Sequence, residues 1–185
     1  SSEDGISALL KHQDGDVYVS GRTASADFPI TVSAYDTVHG GGGYDAFVSR
    51  LSSDLASLPA STFLGGVSLD RCHAITSDTQ GDICVAGETA SSNFPTTQDV
   101  CDISYNGGDC DAFLSKFNST LTGLLSSTFL GGSGYDFASC ITTDTDGYLC
   151  VAGYTKSPDF PVTANACNTV YKSDDAFVSK VLSKA

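Results

Sequence analysis

At 185 residues, 41% hydrophobic and 17% charged, the chain is too apolar and too lightly charged to be disordered, and it has the size of a single domain. Nine Lys and Arg against 22 Asp and Glu leave a net charge of −13, which repels nucleic acid and anionic lipid and argues against both as partners. No apolar run approaches the roughly 20 residues of a membrane span, and a chain without Met reads as a processed product or a fragment of something longer.

The pattern GxTxSxxFP begins at Gly21, Gly87 and Gly153, a period of 66 residues (87 − 21 and 153 − 87). It divides the chain into units 1–66, 67–132 and a shorter 133–185, a single repeat domain. In each unit the first expected strand, Ile6–Lys11, Cys72–Ser77 or Ser139–Thr143, runs into a Gly-bearing turn and then a second strand, Asp16–Ser20, Asp82–Ala86 or Tyr148–Ala152. The second strands are small or β-branched residues between glycines, as in a strand packed on both faces. After the Phe-Pro pair comes a loop of about twenty residues, two shorter in the third unit. A third strand follows, at Asp45–Arg50, Asp111–Lys116 and Asp175–Lys180. The fourth, Ala60–Gly66 and Ser126–Gly132, has no counterpart in the third unit. No segment carries apolar residues at helical spacing over three turns, so the expectation is an all-β protein.

Four-stranded sheets repeated along a chain are the blades of a β-propeller. The segments DGDVYVSGRTASADFP, QGDICVAGETASSNFPTT and DGYLCVAGYTKSPDFPVT, each followed by DAF(V/L)S(R/K), with STFLGG closing two units, resemble the SBBP-type propeller repeats of secreted and surface proteins of bacteria and archaea. The resemblance covers nearly the whole chain. It implies a propeller fold and an extracellular or cell-surface location, but no particular activity; the repeats themselves give three four-stranded blades, the last missing its outer strand. Propellers usually close with about four to eight blades. Fewer than three full blades leave several readings open: a fragment of a longer array, an edge that is merely solvated, or an assembly that completes the structure.

Seven cysteines without paired CxxC spacing point to disulfides in an oxidising compartment rather than zinc. Cys101 and Cys110 bracket a Gly-bearing loop tip and suit a loop-closing bond. Cys140 with Cys150, and Cys72 with Cys84, flank hairpins and are either cross-strand bonds or buried thiols. Cys72 lies two residues before the position matching Cys140, so at least one of these two pairs is out of register. Cys167 is the candidate odd cysteine, and Asn118-Ser119-Thr120 is a candidate glycan acceptor.

Aspartates recur before the first strands, at Asp4, Asp70 and Asp136, and at the third, at Asp45, Asp111 and Asp175. Such repetition suits turn-capping carboxylates, with calcium as the alternative. Asp144 and Asp146 begin a calcium-loop pattern whose later ligands are missing, so no cofactor other than calcium is in view. His39 followed by four glycines looks like an esterase oxyanion segment, but no GxSxG elbow exists and His12, His39 and His73 lie at unrelated positions; an enzyme is not expected. Phe28, Phe94 and Phe160 are expected to plug the space between blades, and the loop tyrosines Tyr35, Tyr44 and Tyr105 are candidates for binding carbohydrate. The function expected is a structural subunit of an extracellular filament or surface layer. Such a homopolymer would grow through the unpaired edge Asp175, Ala176, Phe177, Val178, Ser179 and Lys180, with strand donation as one route. The alternative is a glycan- or protein-binding propeller completed by dimerisation or by a longer chain.

Overall fold

The computed structural model describes residues 2–182; the third unit's last three residues, and Ser1, lie outside them. Eleven strands form three antiparallel sheets, and the described residues hold no helix. The first sheet is β1 (Asp4–Lys11), β2 (Val17–Thr23), β3 (Asp45–Leu51) and β4 (Ala60–Leu64), in that order across the sheet. The second is β5 (Asp70–Ser77), β6 (Ile83–Thr89), β7 (Asp111–Phe117) and β8 (Leu124–Leu130), with the same order. The third holds β9 (Asp136–Thr143), β10 (Tyr148–Thr155) and β11 (Asp175–Leu182). No sheet closes on itself.

Register repeats from sheet to sheet. Val19, Val85 and Val151 lie opposite Ser49, Ser115 and Ser179, and Phe47 and Phe113 lie opposite Phe63 and Phe129. The first strands start two or three residues earlier than expected, at the recurring aspartates, and the second strands run on through the Gly-x-Thr of the motif. A bulge permits this: the ladder slips by one residue between Ile6 and Ala8, and between Cys72 and Ala74. The glycine sits opposite the bulge, where a Cβ on Gly21 or Gly87 would come 1.9 Å from the carbonyl oxygen of Gly5 or Arg71. Ile6 and Leu9, three apart, both face the side of the sheet that carries Val19 and Phe47.

That side is the front of each sheet; the back carries Tyr18 and Val48 and their counterparts. The back of the first sheet (Tyr18, Ala46, Val48, Leu64) packs on the front of the second (Cys72, Ile75, Val85, Phe113) in one core. The back of the second (Cys84, Ala86, Leu114) packs on the front of the third (Ala138, Val151, Phe177) in another. The middle sheet is therefore buried on both faces, as every residue of β6 and β7 is. A fully buried aliphatic or aromatic side chain contributes about 1.5–3 kcal/mol, so the two cores carry most of the fold. Each Phe of the Phe-Pro pair stacks on its own third-strand Phe, with centroids 4.3, 4.5 and 4.6 Å apart for Phe28–Phe47, Phe94–Phe113 and Phe160–Phe177.

Candidate assembly surfaces

The repeated motif is a latch built at the junction between successive units. Thr89 Oγ1 donates to Asp70 Oδ1 at 2.5 Å, and Ser91 Oγ donates to Asp70 Oδ2 at 2.9 Å. The Gly66 amide donates to the same Oδ2, 2.8 Å away. In the third unit Asp136 Oδ2 accepts from Gly132 N and Ser157 Oγ at 2.8 and 2.6 Å, and in the first Asp4 Oδ1 accepts from Thr23 Oγ1 at 2.5 Å. The second aspartate series closes the long loops: Asp45 accepts from Gly40 N, Asp111 from Asn106 N and Asp175 from Lys172 N. Both series are therefore capping carboxylates. The two series meet at Gly65 and Gly131, where a Cβ on Gly65 would come within 2.7 Å of Asp70 Oδ2 and 3.2 Å of Asp45 Cγ. That close approach explains the first glycine of STFLGG.

Backbone links cross each junction too. Asp70 N donates to Tyr44 O and Asp136 N to Cys110 O, both at 2.8 Å. Tyr18 reaches Ser119 O at 2.6 Å, and Tyr135 reaches Glu88 Oε2 at 2.6 Å. Burial would raise the Glu88 carboxyl, but hydrogen bonds from His73, Tyr135 and Arg71 hold it at about 2.

The calcium turn is otherwise occupied. Asp144 Oδ1 accepts from the amides of Asp146 and Tyr148 at 2.9 Å each, and Oδ2 pairs with Lys180 Nζ at 2.5 Å, which holds the carboxyl below its usual range. Asp146 is exposed. Among the described residues no three His, Cys, Asp or Glu side chains gather as a metal set.

All seven cysteines are free thiols in this structure. Cys72 on β5 faces the first core and Cys84 on β6 the second, so the two thiols lie on opposite faces of the second sheet. Cys140 lies opposite Ala152 and Cys150 opposite Thr142, diagonal neighbours on the back of the third sheet. Cys101 is exposed on its loop while Cys110 is buried beside β7, where burial pushes its thiol up to about 12. Cys167 is an exposed free thiol. Asn118 caps its own turn, accepting from Thr122 N at 3.0 Å and donating to Thr122 Oγ1 at 3.0 Å.

The histidines are dispersed: His12 meets Gly81 O at 3.0 Å, His39 meets Thr23 O at 3.2 Å, and His73 lies 3.4 Å from Glu88. The loop tyrosines form no common platform. Tyr35 stacks edge-on against Phe117, Tyr44 donates to Glu3 beneath Arg22 and Arg71, and Tyr105 donates to Gly108 O.

What the chain leaves uncovered is more regular. β11 pairs with β10 on one side, while its other side, where β4 and β8 lie in the earlier sheets, has no strand among the described residues. The front of the first sheet exposes Ile6 and Leu9, and the back of the third exposes Val178. No protein-family model matches this chain, and no curated protein matches it.

Proposed function

We propose that the chain is a structural subunit of an extracellular filament or surface layer, built of β-propeller-type blades of the SBBP kind and polymerising through the open edge of β11. The observation that carries this reading is the one-sided pairing of β11, whose counterparts β3 and β7 are each flanked by two strands. An open row of backbone donors and acceptors takes up a strand from another chain with main-chain hydrogen bonds alone.

The test is negative-stain microscopy of the chain without reductant, alone and with a synthetic peptide of the β8 sequence, Leu124 to Gly132. Long regular fibres that the peptide shortens are the expected result, because the peptide fills the edge of β11. Discrete rings or single particles would overturn the filament reading and favour a ligand-binding propeller completed by two chains.

A further inference from the structure

The front face of the first sheet and the back face of the third are two halves of a junction that the chain already builds twice. We propose that a second copy of this chain completes it, head to tail, front on back. The proposal rests on the assembly reading above and adds to it a second contact, made by sheet faces rather than by the β11 edge.

Repeat positions supply the argument. Ile6 and Leu9 are each 65% exposed, yet their counterparts Cys72 and Ile75 in the second unit are 0% and 9% exposed, and Ala138 in the third is 0%. Val178 is 81% exposed, whereas its counterparts Val48 and Leu114 are 0% and 5%. Cys140 is exposed on the same back face, at the position of Ala74, which is buried. Large apolar side chains left in water on a strand are unusual when their equivalents are core residues, and here they cluster on the two terminal faces. The other exposed large hydrophobics lie in loops and turns, apart from Leu125 on β8.

The polar part of the junction is present in halves as well. Asp70 N donates to Tyr44 O and Asp136 N to Cys110 O at the two internal junctions. The same geometry between copies brings Asp4 N of one to Asp174 O of the other. The contact is heterologous: it uses different surfaces on the two partners, and so it continues into a ring or a filament rather than stopping as a symmetric pair. The occupant is a second copy because the one surface known to fit the back of such a sheet is the front of another, as at both internal junctions.

Sedimentation velocity on the 185-residue chain at high salt, which screens the mutual repulsion of acidic copies, tests this with a front-blocked variant, Ile6→Asp with Leu9→Asp, and a back-blocked one, Val178→Asp. These side chains are exposed, so each variant monomer keeps the parent's melting temperature. With the β8 peptide Leu124 to Gly132 present to fill the β11 edge, each alone is expected to stay monomeric, and their equal mixture to give dimers and nothing larger, since only one good front and one good back remain. An independent readout needs no substitution: iodoacetamide labelling of Cys140, resolved by peptide mass, slows at least tenfold in parent assemblies. Variants that assemble like the parent, or Cys140 labelled at the monomer rate in assemblies, would overturn the face contact while leaving the β11 edge reading standing. A parent that stays monomeric at every concentration and salt would overturn both.

Discussion

Asp111 and Asp136 come together across Gly131: a Cβ on that glycine would stand 3.0 Å from Oδ1 of Asp111 and 2.8 Å from Oδ2 of Asp136. Both residues are fully buried, and Oδ1 of each lacks a hydrogen-bond partner. Burial, then the charge of Asp136, pushes the Asp111 carboxyl up to about 7; burial does the same to Asp70, to about 6. A carboxyl that holds its proton longer when folded adds stability below its unfolded value of about 3.9 and loses it as pH rises through the folded value. Glu88 has the opposite sign, because its folded value lies low at about 2 and its contribution disappears as pH falls toward that value. Stability should therefore peak near about pH 4 and fall between about 4 and 7. Asp111→Asn, neutral at every pH, should gain on the parent as pH rises, by roughly 1–3 kcal/mol at pH 8. Urea midpoints measured from pH 4 to 9 check this; a variant offset that does not change with pH would remove Asp111 as the cause.

The same junction predicts a steric effect. Gly131→Ala drives a methyl group into two carboxylates that the latch holds in place, so the junction must shift, at a cost of about 1–3 kcal/mol. Gly43 has nothing within 4 Å of its Cβ position, so Gly43→Ala should leave the melting temperature within a degree or two of the parent. Equal melting temperatures for the two variants would mean that the carboxylates move aside freely.

The repeat, the all-β class and the existence of each strand were legible because a constant period places the same apolar alternation and turn glycines three times over. The latch was legible in principle. Thr23, Thr89 and Thr155 lie 19 residues after Asp4, Asp70 and Asp136, and Ser25, Ser91 and Ser157 lie 21 after them, spacings that recur in all three units. Reading each aspartate alone hid that relation. Which hairpin cysteine pair is out of register was less legible. A bulge changes which side of a strand a residue faces, and sequence alternation does not reveal where it falls, so Cys72 and Cys84 looked like partners although they belong to two different cores. The terminal faces escaped notice because Ile6 and Val178 look like core residues in sequence, and only their exposure distinguishes them.

Lys116 reaches Asp78 at 2.7 Å and Asp82 at 3.3 Å, with the Lys116 and Asp78 side chains 3% and 0% exposed. Its counterpart Arg50 reaches Asp16 and Asp14 at 2.7 and 3.0 Å near the surface. Removing one partner of a buried pair leaves the other charge desolvated, so Lys116→Met should cost about 3–5 kcal/mol. Arg50→Met breaks a similar pair in contact with water and should cost about 1 kcal/mol or less. Chemical denaturation of both variants checks the contrast; equal losses would show that water reaches Asp78 as readily as Asp14.

The thiols give the most direct chemical check on the sheet faces. Cys72, Cys84 and Cys110 are buried, and burial pushes Cys84 and Cys110 up to about 12 and Cys72 higher still, which keeps them as unreactive thiols near neutral pH. Cys101, Cys140 and Cys167 are exposed, and Cys150 is intermediate. Brief iodoacetamide treatment of the monomer without reductant should therefore label Cys101, Cys140 and Cys167 first, Cys150 more slowly, and Cys72, Cys84 and Cys110 only after unfolding. Intact mass should equal that of the fully reduced chain. A loss of about 2 mass units with protection of Cys140 and Cys150 together would place a diagonal cross-strand bond on the back of the third sheet, since their register makes them neighbours there. Protection of Cys72 and Cys84 with the same mass loss would be harder to accommodate, because it requires a bond through the body of the second sheet, and it would overturn the bulged register of β5 against β6.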